Sequence, residues 1–129
     1  PHGVSGQITM CGGKLNFAVN ERVCFVEWIK NTTAAPIKYG ILGEHYSGTT
    51  CEQLVVPEWN VVPIPAHIPM TEAAAFPLAT LTAWRMMVSK ARVRSGEHVL
   101  IWGIGGGVAL QALQIAKSLG AYTWGAPSR

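Results

Sequence analysis

The chain has 129 residues, 49% hydrophobic and 13% charged, which is enough for one core and too apolar for a disordered segment. Ten Lys and Arg against seven Asp and Glu give a formal charge of +3, with the basic residues scattered along the sequence, so neither a nucleic-acid nor a membrane partner is expected. No apolar run approaches the ~20 residues of a membrane span, and Pro1 onward reads as folded sequence rather than a signal peptide, so a cytoplasmic protein is expected.

Residues 1 to about 69 read as strand and turn. Glycine and proline punctuate them, GGK (Gly12 to Lys14) and YSGTT (Tyr46 to Thr50) as turns. The β-branched and aromatic runs lie in ERVCFVEWI (Glu21 to Ile29) and CEQLVVP (Cys51 to Pro57). Three prolines in NVVPIPAHIP (Asn60 to Pro69) restrict it to an extended edge or connector. The three cysteines, Cys11, Cys24 and Cys51, are widely spaced, and each is expected in or beside a strand as a small buried hydrophobe in a reducing compartment. Near residue 70 the composition changes. TEAAAF (Thr71 to Phe76) predicts a helix start with Thr71 as N-cap, and Pro77 is expected to interrupt or restart it. From Leu78 to Ala91, the apolar residues Leu81, Trp84, Met87, Val88 and Ala91 recur at helical spacing, and RSGEH (Arg94 to His98) predicts a turn.

Val99 to Trp102 is a continuous apolar run, the pattern of a strand buried on both faces of a parallel sheet. Gly103, Gly105, Gly106 and Gly107 follow, and a helix is predicted from about Val108 to Leu119 with Val108, Ala112, Ile115, Ala116 and Leu119 facing inward. Gly120 suits the left-handed residue that ends it, and AYTW (Ala121 to Trp124) reads as a second buried strand. Glycines between a strand and a helix are where a pyrophosphate meets backbone amides at the positive end of a helix dipole, because a Cβ there would hold it off. The spacing is G-x-x-G-x-x-A at Gly103, Gly106 and Ala109, with Val108 on the last glycine of the strict G-x-G-x-x-G. The other reading of these glycines is a flexible turn without a ligand.

No Asp or Glu follows Glu97, so the acidic residue that usually takes a ribose 2′-hydroxyl is missing. Ser128 and Arg129 offer a hydroxyl and a guanidinium to a 2′-phosphate, which favours NADP(H) over NAD(H); alternatively they are frayed terminal residues.

ILGEHYSGTTCEQLVVPEWNVVPIP, then TEAAAFPLATLTAW, then SGEHVLIWGIGGGVALQALQIAKSLGA, in that order, resembles the medium-chain dehydrogenase/reductase family, which includes zinc-dependent alcohol dehydrogenases and zinc-free quinone reductases. The resemblance runs from about Ile41 to Arg129 and more faintly through His2 to Val23, where Asn20-Glu21-Arg22-Val23 stands for a G-D-R-V. It implies an α/β chain: a β-rich, partial GroES-like domain over 1–70, then connecting helices and the first strand-helix-strand of a Rossmann, doubly wound dinucleotide-binding domain over 71–129. The active site would lie in the cleft between them. The resemblance makes Thr82 a neighbour of the nicotinamide and Gly103, Gly105, Gly106, Gly107 and Val108 the pyrophosphate loop.

The departures from the family bear on metal. Its structural zinc takes four closely spaced cysteines before ILGEH, whereas residues 24–40 hold only Cys24. Its catalytic zinc takes a His in a G-H-E, where this chain reads GVSG, and a ligand near Pro77 to Leu81, where there is none. Zinc is therefore not supported, and His2, His45, His67 and His98 read as surface or hydrogen-bonding residues. Beside the family's domains the sequence reads as truncated at both ends, which would strip Trp102 and Trp124 of covering layers. Two functions follow. One is an oxidoreductase, or part of one, moving hydride between NADP(H) and a carbonyl, alcohol or activated alkene such as a quinone, with a small-molecule substrate, a possible homo-oligomer and no assignable proton donor. The other is an inactive relic that acts as a binding or interaction module.

Overall fold

The computed structural model describes residues 5–7, 21–25, 28–31 and 38–127. They fall into two compact units, Pro1–Pro77 and Leu78–Arg129. The GGK turn, Cys11, His2, Ser128 and Arg129 lie outside the described residues.

The first unit contains β1 (Ser5–Gln7), β2 (Arg22–Phe25), β3 (Trp28–Asn31), β4 (Lys38–Ile41) and β5 (Val61–Pro63). β2 is central in an antiparallel sheet of order β1-β2-β5, and β3 pairs with β4 separately. Along β2, burial alternates, with Val23 and Phe25 inside, as the period of two requires. β5 is the edge strand expected of a proline-rich segment, with Pro63 opposite Val23. The Ile64 amide then donates to the Arg22 carbonyl at 2.9 Å, extending the pairing past the proline. The Arg22 guanidinium reaches along the following connector, donating to the Ala66 carbonyl at 3.1 Å, to the Ile68 carbonyl and to Met70 Sδ at 3.2 Å. A tether with three acceptors fixes a segment whose prolines leave it few amides of its own.

The run Cys51–Pro57 forms no strand, contrary to the sequence pattern. Strand propensity describes a fit to a pleated, half-buried surface, and here no described strand supplies one: Val55 is 97% exposed. Cys51 is exposed as well, a correction to its expected burial, whereas Cys24 sits in β2 and burial pushes its thiol up from the usual range.

Helix α1 (Met70–Trp84) contains the boundary between the units. Its first bond runs from the Ala73 amide to the Pro69 carbonyl, 3.0 Å, so Thr71 is a first-turn residue and not the N-cap. Pro77 does not break it. The missing proline amide forfeits one bond to the Ala73 carbonyl, and the alanine- and leucine-rich flanks carry the helix across. After Trp84 the backbone widens into a π-helical turn, Arg85–Lys90, closed by the Ala91 amide on the Met86 carbonyl at 2.8 Å. Ala83 and Met87 face the core, with Val88 packed beside them, while Leu81 and Trp84 are exposed.

In the second unit β6 (His98–Trp102), α2 (Gly107–Ser118) and β7 (Tyr122–Ala126) form a strand-helix-strand with parallel strands. Ile101, Ala112, Ile115 and Ala116 make the core with Ala83 and Met87, and Val108, Ala109 and Leu119 pack against it, so the predicted inner face of the helix holds. Gly120 has φ +77°, the left-handed terminator. The sheet differs from expectation in one respect. Leu100, Trp102, Tyr122 and Trp124 project from its other face and are 60–70% exposed. The two strands are apolar on both faces, but the described helices cover the sheet on one face alone, so burial of β6 and of AYTW is one-sided. Among the described residues no helix is long and apolar enough to cross a membrane.

Candidate dinucleotide site

At the end of β6 the chain turns sharply. Gly103 has φ +70°, which an L side chain adopts only under strain. Its amide and that of Ile104 both donate to the Ala126 carbonyl, at 2.8 and 3.1 Å, and tie the turn to the end of β7. The Gly106 amide closes back on the Gly103 carbonyl at 2.9 Å. Gly106 is then the N-cap of α2, in an extended conformation with no side-chain cap, and the first helical bond runs from the Leu110 amide to the Gly106 carbonyl at 2.9 Å. The amides of Gly107, Val108 and Ala109 precede that bond and point out of the helix end.

These residues fit a pyrophosphate. A Cβ built on Gly103 or Gly105 would meet nothing within 4 Å, so the space above the loop is open and the glycines keep it so. A Cβ on Gly106 would meet only the Gly103 carbonyl oxygen, at 3.4 Å. The first turn of α2 carries no acidic side chain to repel an anion. Ala109 packs against the core, the role the spacing gave its small side chain. Helix α1 approaches here too: a Cβ on Gly107 would lie 3.9 Å from Ala79 Cβ. Thr82 is three residues further along α1, on the same side of the helix as Ala79, and exposed. Thr82, Gly103, Gly105, Gly106, Gly107 and Val108 thus belong to one unit, while Ser128 and Arg129 lie outside the described residues.

Sequence reasoning missed the anchors of the loop. Ile104 packs on Gly125, where a Cβ would come within 3.2 Å of Ile104 Cγ1, and Ala126 holds the turn through its carbonyl. The signal was present as an isoleucine inside a glycine run and a glycine inside a strand.

Two of the three described histidines, His45 and His98, have local contacts. His45 Nδ1 accepts from the Ile41 amide at 3.2 Å and lies 4.0 Å from the Glu44 carboxylate. His98 Nδ1 accepts from Trp124 Nε1 at 3.2 Å and its ring stacks on Tyr122. Among the described residues, no three or more His, Cys, Asp or Glu stand together as metal ligands would.

No protein-family model matches the chain. A zinc-type alcohol dehydrogenase-like protein, YogA, from Leptosphaeria maculans is 38% identical over 74 residues, 57% of this chain and 21% of that protein. A crotonyl-CoA reductase from Streptomyces collinus is 40% identical over 76 residues, 57% of this chain and 17% of that protein. The crystal structure of an NAD-dependent alcohol dehydrogenase superposes on 100% of this chain and 42% of its own, with a TM-score of 0.90 and 36% identity. These relatives and the solved structure are alcohol dehydrogenase and reductase proteins of the kind that the resemblance to the medium-chain dehydrogenase/reductase family implies. The chain spans only 3–22% of the length of the curated relatives it matches.

Proposed function

We propose that the chain is the part of an NADP(H)-dependent oxidoreductase in which the turn Gly103 to Val108 holds the cofactor pyrophosphate. The observation that carries this reading is the turn itself: a left-handed Gly103, open space over Gly103 and Gly105, and free helix-end amides at Gly107, Val108 and Ala109. Residues 1–70 would form the GroES-like part beside the substrate, and 71–129 the start of the dinucleotide-binding domain. Thr82 would border the nicotinamide. Ser128 and Arg129 would hold the 2′-phosphate, since the sequence beyond Glu97 has no carboxylate to select a ribose hydroxyl. The bound cofactor supplies the hydride chemistry, and this chain's residues bind and orient it. Relatives named as an alcohol dehydrogenase-like protein, a crotonyl-CoA reductase and a quinone oxidoreductase support a small carbonyl, alcohol or activated alkene such as a quinone as the substrate class.

Thermal unfolding with NADPH, NADH and no ligand tests this. At 100 times Kd, a ligand adds about 2.7 kcal/mol, so saturating NADPH raises Tm by several degrees and NADH by less. Equal shifts would overturn the assignment of Ser128 and Arg129. No shift with either would overturn the cofactor site.

A further inference from the structure

The second unit has a charge distribution that the cofactor does not use. Of the seven acidic residues only Glu97 lies beyond Pro77, whereas Lys90, Arg92, Arg94 and Lys117 are all there and all exposed. The fold gathers these four at the end of the sheet opposite the glycine turn. The Val93 amide bonds the Met87 carbonyl at 3.0 Å, folding Arg92 and Arg94 back beside the end of the π-helical turn that carries Lys90. The Gly96 amide and Ser95 Oγ both reach the Gly120 carbonyl, at 2.9 and 3.4 Å, and the Gly120 amide bonds the Lys117 carbonyl at 3.0 Å. The loop from Arg92 to Ser95 is thereby sewn to the C-terminal end of α2, where Lys117 stands.

Two further features coincide with this edge. Arg92 has φ +54°, the sole positive φ outside glycine among the described residues, and a β-carbon is disfavoured there. Glycine or asparagine would occupy that position with less strain, so an arginine there retains a charge at a conformational cost. The π-helical turn leading into it is a feature that tends to persist at functional sites. The acid beside them is committed elsewhere: Glu97 Oε2 accepts from the Arg94 backbone amide at 2.9 Å.

We propose that Lys90, Arg92, Arg94 and Lys117 form a docking edge for an acidic polypeptide surface. Its charges are spread over a helix end, a π-helical turn and a loop, the footprint of a surface rather than of a single anion. The second unit holds a single acid, Glu97, against these four cations, so it cannot neutralise the edge itself, and complementary charge favours an acidic surface as the occupant. The inference is independent of the cofactor reading, because these residues lie at the opposite end of the strands from Gly103.

The test is fluorescence anisotropy of a labelled 20-residue glutamate-rich peptide with the full chain, from low to physiological salt, beside a single-stranded oligonucleotide of equal charge. The expected result is salt-dependent peptide binding that weakens about tenfold in R92E/R94E and in K90E/K117E. The control K30E/K38E, with the same change in net charge in the other unit, should bind as the parent does. Arg92→Gly separates charge from fold, since it relieves the left-handed strain; it should hold or raise Tm while weakening the peptide. Absent binding, unchanged binding in the charge reversals, or equal loss in K30E/K38E would each overturn the edge. Tighter binding of the oligonucleotide would overturn the class of partner.

Discussion

Replacing Gly106 by valine separates the fold from the cofactor site. Gly106 sits at φ −81° and ψ 148°, an extended conformation that valine favours, so the backbone adds no strain. Its new Cβ would meet the Gly103 carbonyl oxygen at 3.4 Å, a contact relieved by a shift of a few tenths of an ångström. The remaining cost is that of exchanging a glycine N-cap for a residue that caps poorly, up to about 1 kcal/mol. For a chain of this length that lowers Tm by about 3–6 °C. The ligand effect is larger. Cofactor at 100 times Kd contributes about 2.7 kcal/mol, or roughly 10 °C on the same scale, and the valine methyls would occupy the position the pyrophosphate must take. Gly106→Val should therefore melt slightly lower than the parent without ligand, and show almost none of the parent's shift with NADPH. Differential scanning fluorimetry over a ligand series gives both numbers in one experiment, with calorimetric titration as a check. A variant that folds and keeps the full cofactor shift would remove Gly106 from the site, and with it the argument from the open glycine turn.

Gly120→Ala should cost about 2 kcal/mol in urea unfolding: φ +77° strains any side chain, and the new Cβ would lie 2.7 Å from Ser95 Oγ. Ser95→Ala in the same chain should recover part of that loss, and no recovery would mean that backbone strain alone sets it. Ile101→Ala, which empties a buried position, should lose about 2–4 kcal/mol, whereas Trp102→Gln next to it on the exposed face should lose far less despite the larger deletion. Reversal of that order would contradict the one-sided burial of β6. Burial raises the Cys24 thiol, so the folded chain holds that proton more tightly than the unfolded one. Its contribution is complete below the ordinary thiol pKa and fades as pH climbs through the raised value. Iodoacetamide mapping near pH 8 should thus label the exposed Cys51 well before Cys24, and equal rates would argue against a protected thiol.

The glycine turn was legible because three independent local signals agree there: a continuous apolar strand, small residues at fixed spacing, and a helix whose inner face reads cleanly as Val108, Ala112, Ile115, Ala116 and Leu119. Each depends on contacts within about thirty residues, where sequence pattern and geometry are tightly coupled. Cys51 to Pro57 was misread because β-branched residues report fitness for a sheet, not the presence of a partner strand. Pro77 was misread because a proline rule concerns one hydrogen bond, while helix continuity depends on the whole segment. The stripe of α1 was misread because the pattern weighted the large residues Leu81 and Trp84, whereas the buried position is the small Ala83, with Met87 one turn on.

Charge was the least legible property. Along the sequence, Lys90, Arg92, Arg94 and Lys117 look dispersed, and the overall charge of +3 looks mild. Both impressions average over two units of opposite character, because six of the seven acids lie before Leu78. Proximity of Lys117 to Arg94 is created by the bonds from Gly96 and Ser95 to Gly120, a link across some 25 residues that no window of sequence contains. The same link explains why Gly120 must be glycine, since Ser95 fills the space a Cβ would need. The contact that ends α2 therefore also brings the basic loop to its terminus. A substitution at Gly120 should disturb both stability and binding of an acidic peptide, while Gly106→Val at the far end of the helix should leave peptide binding intact. Loss of peptide binding in Gly106→Val would show that the two ends are not independent.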